Sequence, residues 1–286
     1  MRNQATATIL LAVSVAACAQ KTDGRLDQTV AKLRRGDLAA PGELIQMGPA
    51  AVQAVEPLLQ DPKLDVRRGA VAVLAGLPGP ESCRALAVPL GDASEEIRGR
   101  AAAAYYRGCA RDRVPCEALL AGSAKGDPSA AAMLLAGYCG EAGRKSLGKV
   151  PAGRTKLEQY GPVVPTALVA SVAQLHAGDA SQAGAVTAAV ANRASIAEAE
   201  FILQVLPEIP KAQLSAAVPL LDDRRDAAAL AGAPAGVQPR RMCDAAVDAF
   251  ASRLSIRMPF ASKPATRYTP ENLQAAKTLI AAELKK

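Results

Sequence analysis

The feature that most restricts the fold of this chain is an internal repeat of 31 residues. Residues 48–78 align with residues 79–109 without a gap, and both copies begin with Gly-Pro. In each copy an apolar stretch at helical spacing leads to an Asp-bearing turn, and a second apolar stretch opens with a β-branched residue and Arg. A helix with one apolar face cannot bury that face alone, so the repeat predicts helix pairs that stack on one another.

The two copies match at the positions that set the turns and the stacking. The matched pairs are Leu59 with Leu90, Asp61 with Asp92, Val66-Arg67 with Ile97-Arg98, and Ala70 with Ala101. Proline suits the first turn of a helix, where no amide hydrogen is needed, and glycine suits the end of the preceding one. A weaker third copy runs from Val114 to Cys139, with Asp127 in its turn.

Composition favours helices and excludes several kinds of site. Half of the 286 residues are apolar, with alanine the most frequent of them, and the aromatic residues are five Tyr and three Phe. Alanine favours helices, whereas sheet sandwiches depend on β-branched and aromatic side chains. A single histidine excludes a His-rich metal centre and any mechanism that needs two imidazoles. We therefore expect an all-α protein with no metal and no cofactor.

The repeat motif resembles the HEAT-like repeats of bacterial proteins. The resemblance is clear over residues 48–109, and residues 241–246, Arg-Met-Cys-Asp-Ala-Ala, resemble the terminal unit of such proteins. It implies a HEAT-like α-solenoid of stacked antiparallel helix pairs. It also implies that Arg67 and Arg98 form a structural ladder with the turn residues Asp61 and Asp92.

The amino terminus is typical of an exported protein. Residues 1–17 combine Arg2 with a short apolar stretch, as in a secretory signal. Val15-Ala16-Ala17-Cys18 resembles a bacterial lipobox, which implies that Cys18 carries diacylglycerol and holds the chain at a membrane. The alternative is ordinary cleavage after Ala19. Both interpretations place the protein in the periplasm or outer cell envelope, where nucleic acid is not an expected partner.

We expect the chain to be organised in four segments. They are a lipoprotein-type signal peptide (1–17), a tether with a first short helix (18–40), N-terminal HEAT-like repeats (41–145), and degenerate HEAT-like helical repeats with a closing helix (146–286). The glycine- and lysine-rich stretch 140–156 is the expected break between the halves. Thr269-Pro270 predicts the start of the closing helix. Residues 222–239 form an expanded turn, interpreted either as a solvated loop or as a recognition loop.

Arginines are the candidate partner-binding residues. They are Arg68, Arg100 and Arg107 on the second-helix surface, and Arg224 and Arg225 in the expanded turn. The formal net charge of +7 favours an acidic partner.

The cysteines and the histidine have mainly structural interpretations. Cys109 and Cys116 flank one turn and are the candidate disulfide, with Cys109–Cys139 as the alternative. Cys243 is expected to fill core. His176 ends an apolar run without a nucleophile at a recognisable spacing, and we interpret it as a cation at a helix carboxyl end.

The functional expectation is a non-catalytic scaffold of the bacterial cell envelope. It would bind a partner protein along the curved second-helix face, because solenoids present long surfaces without a dedicated pocket. The alternative is an enzyme or enzyme subunit on the HEAT-like fold, as in phycobilin lyases, which the chain resembles only through the repeat.

Overall fold

The computed structural model describes residues 24–126, 128–157, 161–192, 194–227, 240–261 and 267–286. These residues are mostly helical, so the all-α prediction is confirmed. Strand pairing in this part of the chain is limited to β1 (Arg154–Thr155) against β2 (Val164–Pro165) and one isolated bridge. The chain divides into two compact units after Gly126, earlier than the expected break at 140–156.

The first unit consists of short helices joined by tight turns. They are α1 (24–34), α2 (Ala40–Gln46), α3 (Ala50–Val55), α4 (Leu64–Gly76), α5 (Pro80–Ala85), α6 (Ala87–Leu90), α7 (Glu95–Gly108) and α8 (Cys116–Ser123). The 3-10 segments Glu56–Gln60 and Arg111–Arg113 follow α3 and α7.

Both repeat copies form a helix pair, but the first helix of each pair is interrupted. α3 passes into a 3-10 segment at Glu56, and α5 is separated from α6 at Leu86. The cause is a proline inside each helix, since Pro57 and Pro89 have no amide hydrogen to donate and clash with the carbonyl four residues earlier. The periodicity predicts that the first helix of each pair is continuous, and this prediction is wrong in detail.

The second helices are continuous and carry the core of the first unit. α4 packs against both α2 and α7, and α6 packs against α8. Val66 and Ala70 of α4 are fully buried, as are their counterparts Ile97 and Ala101 of α7. The repeated positions are thus those that contact neighbouring helices, which explains why the sequence pattern recurs.

The second unit is also built from helices. They are α9 (Ala130–Ala136), α10 (Gly140–Leu147), α11 (Thr166–His176), α12 (Ala183–Ala191), α13 (Ala197–Gln204), α14 (Met242–Leu254) and α15 (Pro270–Leu284). The 3-10 segments are Gly137–Cys139, Ala180–Gln182, Leu206–Glu208 and Lys211–Asp222. α11 packs on α9 and α12, and α14 packs on α15 and on the segment Lys211–Asp222.

Three elements of the second unit bear on the sequence predictions. α10 occupies the first half of the stretch expected to be an irregular connection. The segment Lys211–Asp222 is 3-10 rather than α-helical, and Pro219 lies within it. α15 begins as predicted: the Thr269 hydroxyl accepts a hydrogen bond of 3.2 Å from the Asn272 amide, and Pro270 is the first helical residue.

Candidate functional site

Arg67 connects the turns of the two repeat copies. Its Nε donates to Asp92 Oδ2 at 2.8 Å, and its Nη2 donates to Asp92 Oδ1 at 3.2 Å. Its Nη1 donates to the carbonyl oxygen of Asp61 at 2.8 Å. The Arg67 and Asp92 side chains are only 15% and 8% exposed. An Arg–Asp link of the kind that the HEAT resemblance implies is therefore present, although Asp61 takes part through its main chain.

Arg98 repeats part of this arrangement one copy later. The residue is buried, and its Nη1 donates to the carbonyl oxygens of Asp92 and Ala93 at 3.0 and 2.9 Å. Asp127, the turn residue of the third copy, lies outside the described residues. Arg67 and Arg98 thus hold turns together and are not presented to solvent.

Arg68 and Arg100 share one carboxylate on the second-helix surface. Arg68 donates to both oxygens of Glu96, at 2.6 and 2.8 Å, and Arg100 Nε donates to Glu96 Oε1 at 2.9 Å. Arg68 also pairs with Asp65. The hydrogen bonds from Arg68, more than any other interaction, lower the pKa of Glu96 to about 2. Arg68, a candidate partner-binding residue, is therefore already paired with two carboxylates.

The remaining three candidate arginines differ in accessibility. Arg107 and Arg224 are exposed and form no ion pair with a described residue. Arg225 points inward, donating to both carboxylate oxygens of Asp223 at 2.6–3.1 Å and to the carbonyl oxygens of Asn192 and Ser195 at 3.1 Å. The hydrogen bonds to Asp223 raise the pKa of Arg225. Arg225 is a structural residue.

A third Arg–Asp pair with a buried carboxylate lies where the expanded turn rejoins the helices. Asp244 is fully buried and accepts bonds of 2.9–3.0 Å from the Arg241 amide and guanidinium and from the Tyr268 amide. Burial raises the pKa of Asp244, but these bonds together outweigh it and the pKa is lowered. Residues 228–239, most of the predicted loop, lie outside the described residues.

His176 belongs to a small polar cluster in the second unit. It is the last residue of α11, as predicted, and its Nδ1 lies 2.9 Å from the Glu208 carbonyl oxygen. Its ring packs on Tyr138 with centroids 4.0 Å apart. The Tyr138 hydroxyl donates to Glu208 Oε2 at 2.5 Å, and Glu208 is buried. The histidine therefore contacts the main chain of Glu208 and not its carboxylate.

A disulfide within the first unit joins Cys83 to Cys109, with Cα atoms 5.6 Å apart. The predicted Cys109–Cys116 bridge is wrong, and Cys116 is disulfide-bonded elsewhere. Cys109 follows the end of α7, and the antiparallel packing of the helix pair brings α5 with Cys83 alongside it. Sequence distance alone could not identify this partner. Cys243 is free and buried, as predicted, and burial raises the pKa of its thiol.

A groove of about 510 Å³ lies beside the Cys83–Cys109 disulfide. Its lining residues are Gly79, Pro80, Cys83, Arg84, Ala87, Tyr105, Gly108, Ala110, Arg113 and Pro115. The sequence did not reveal this site because its residues come from two separate segments, 79–87 and 105–115. The two cysteines were the signal that could have drawn attention to it.

A second cavity, of about 360 Å³, lies at the Asp-bearing turns of the same unit. Its charged lining residues are Asp61, Arg67 and Asp92, of which Arg67 and Asp92 are already paired with each other. The cationic side chain of this cavity is thus already balanced by Asp92. The groove beside the disulfide, which presents unpaired arginines, is the better candidate for binding.

Neither a metal centre nor a membrane span is found in the described part of the chain. No group of three or more His, Cys, Asp or Glu side chains there could hold a metal ion. No helix among the same residues combines the length and apolar character needed to cross a bilayer. The signal segment 1–17 and Cys18 lie outside the described residues, and lipidation stays a prediction.

Comparison with known proteins finds no match for this chain among family models, curated proteins or solved structures.

Proposed function

We propose that the chain is a HEAT-like α-solenoid and a non-catalytic protein-binding scaffold of the bacterial cell envelope. The observation that carries the proposal is the pair of bonds made by Arg67, which hold its own turn and the carboxylate of the next. The packing of α4 against both α2 and α7 supports the same arrangement. Stacked, mutually braced helix pairs form an extended surface on which a partner can be held.

The pairing of surface charges changes where such a partner is expected to bind. Arg68 and Arg100 share Glu96, and Arg68 also contacts Asp65, so opposite charges are balanced on that part of the second-helix surface. The electrostatic argument for an acidic partner there is correspondingly weak. Arg84 and Arg113 line the groove at the end of the helix pair opposite the Asp-bearing turn. This end is the favoured contact surface.

The cluster of Tyr138, His176 and Glu208 supports the alternative function, an enzyme on the same fold. A buried carboxylate next to a tyrosine and a histidine is a common setting for proton transfer. The contacts observed here are a ring packing and a bond to a main-chain oxygen, both of which also serve packing. The scaffold is therefore the preferred proposal.

Covalent capture from the cell envelope tests the scaffold proposal. The tagged full chain is cross-linked in intact cells under non-reducing conditions, and the captured proteins are identified by mass spectrometry. We expect one partner to be enriched over an unrelated exported protein of similar charge. The variant Arg68→Glu/Arg100→Glu should capture the same partner. Enrichment of no protein above the control contradicts the proposal.

A separate experiment tests the proposed lipid anchor and location in the cell envelope. Intact-mass analysis should show diacylglycerol on Cys18, and Cys18→Ser should move the chain from the membrane fraction to the soluble fraction. A soluble wild-type product beginning at Gln20 would contradict lipidation but not export.

A further inference from the structure

The groove beside the disulfide combines an apolar lining with unpaired positive charge. Pro80, Ala87 and Tyr105 supply part of the apolar lining, while the charged lining residues are Arg84 and Arg113. Both arginines are exposed, and neither forms an ion pair with a described residue. The volume of about 510 Å³ is within the range of pockets that enclose a small ligand or a few side chains.

The walls of the groove are fixed before any ligand arrives. The Cys83–Cys109 bond ties α5 to the end of α7. The Tyr105 hydroxyl donates to the carbonyl oxygen of Arg113 at 2.6 Å, which ties the segment after α7 back onto that helix. A site whose walls are already ordered loses less conformational entropy on binding.

We propose that this groove binds an acidic, partly apolar peptide segment of a partner protein. Carboxylates of the segment pair with Arg84 and Arg113, because the planar guanidinium matches a carboxylate with two parallel hydrogen bonds. A neighbouring apolar side chain of the segment packs against Pro80, Ala87 and Tyr105. The proposal rests on the proposed scaffold function and specifies the chemistry of its partner.

An anionic membrane surface fits the groove less well than a peptide. Proteins that lie on a bilayer insert large apolar side chains beside their cationic residues. The exposed large apolar residues of the described chain are Leu38, Leu64, Val88, Val163 and Leu279, and none of them lines the groove. The recessed Ala and Pro lining is suited to receiving a side chain rather than to entering lipid.

Fluorescence anisotropy with the oxidised full chain tests the proposal. The probe is a labelled peptide of alternating Leu and Glu, and its comparison is the same peptide with Gln in place of Glu. We expect the acidic peptide to bind about tenfold more tightly than the Gln peptide, because a neutral amide makes weaker hydrogen bonds to Arg84 and Arg113 than a carboxylate does. Binding should weaken as salt is raised.

Variants locate the binding in the groove. Arg84→Glu/Arg113→Glu should weaken binding of the acidic peptide by about tenfold or more. The matched control, Arg224→Glu/Arg257→Glu, reverses two exposed arginines of the second unit and should leave it unchanged. Ala110→Trp, which narrows the groove without altering its charge, should also weaken binding. Circular dichroism melting confirms that each variant is folded.

Three results would overturn the inference. The first is that Arg84→Glu/Arg113→Glu binds the acidic peptide as tightly as wild type does. The second is that wild type binds the Gln peptide as tightly as the acidic peptide, and the third is that it binds phosphatidylglycerol vesicles but no peptide. The cross-linking experiment separates this failure from failure of the scaffold. If Arg84→Glu/Arg113→Glu still captures the partner, only the proposed binding in the groove is refuted. If wild type captures no partner, the scaffold proposal is refuted.

Discussion

At the scale of single residues, Arg67 shows how one side chain can join two repeats. Its guanidinium reaches the carboxylate of Asp92 and the carbonyl oxygen of Asp61, in turns that lie one repeat apart. An arginine can do this because its planar group presents several donors in fixed directions. Its neighbour Arg68 makes comparable bonds to Glu96 but is more exposed, 35% against 15%.

Because Arg67 is more buried than Arg68, removing the carboxylate that pairs with Arg67 should lower the free energy of unfolding more than removing one that pairs with Arg68. Asp92→Asn should lower the free energy of unfolding by about 3 kcal/mol, because it leaves the Arg67 cation buried without its counter-charge. Urea unfolding monitored by circular dichroism measures the change. Asp65→Asn is the matched control: Asp65 is 72% exposed, and its loss should cost less than about 1 kcal/mol. Equal costs for the two variants would refute a special role for Arg67.

The low pKa of Glu96 predicts how stability depends on pH. The pKa is about 2 in the folded protein against an ordinary value of 4.5, so the folded state binds the proton less readily than the unfolded state. The stabilisation is complete above pH 4.5 and is lost as the pH falls toward 2. The difference in unfolding free energy between wild type and Glu96→Gln should therefore shrink over this range.

Urea unfolding at a series of pH values measures that difference. In an Arg68→Met background the pH dependence should be smaller, since Arg68 supplies the main hydrogen bonds to Glu96. A difference that stays constant from pH 6 to pH 2 would show that the bonds to Glu96 do not form in solution.

At the scale of helices, close packing depends on glycine at one crossing in the first unit. α8 approaches α6 so closely that a Cβ atom at Gly122 would lie 2.0 Å from the carbonyl oxygen of Leu90. A side chain there must push the backbone of α6 away. Gly42 of α2, by contrast, has open space around the same position.

Alanine substitutions at these two glycines should have opposite effects. Gly122→Ala should destabilise the chain by about 1–3 kcal/mol through overpacking. Gly42→Ala should stabilise it by about 0.5–1 kcal/mol, because alanine costs less conformational entropy in a helix. Thermal and urea unfolding of both variants provide the measurement. A stabilising Gly122→Ala would mean that α8 does not pack closely on α6.

Sequence periodicity predicted the helices better than it predicted the contacts between them. The second helices α4 and α7 follow directly from the apolar spacing, and the turn at Asp92 follows from the repeat. The breaks at Glu56 and Leu86 depend on Pro57 and Pro89, which interrupt a helix without changing the apolar spacing around them.

The candidate site was harder to predict because it depends on packing across helices. Cys83 pairs with Cys109 only because two antiparallel helices place them side by side, and Arg84 and Arg113 meet in one groove for the same reason. Pairing of Arg68 with Glu96 likewise joins different helices, α4 and α7. Spacing along one chain contains no direct measure of such distances.

At the scale of the molecule, the Cys83–Cys109 bond connects stability with binding. Its cysteines are 26 residues apart in sequence, and closing a loop of that length stabilises a fold by about 3–4 kcal/mol in the chain-entropy model. Cys83→Ala/Cys109→Ala should therefore unfold at lower urea concentration than wild type. It should also bind the acidic peptide more weakly, because one wall of the groove is no longer tied.

Addition of a reductant provides the control for this pair of effects. Wild type and Cys83→Ala/Cys109→Ala should have similar free energies of unfolding once every disulfide in both proteins is reduced. A wild-type advantage that persists fully under reducing conditions would mean that the bond contributes nothing.

The same bond makes the proposed binding depend on the redox state of the surroundings. Disulfides persist in oxidising compartments, whereas cytosolic thiols stay reduced. Under the proposed export and peptide binding, a newly made, reduced chain would have an untied groove and would bind acidic segments weakly. Oxidation of Cys83 and Cys109 after export would then complete the proposed binding surface.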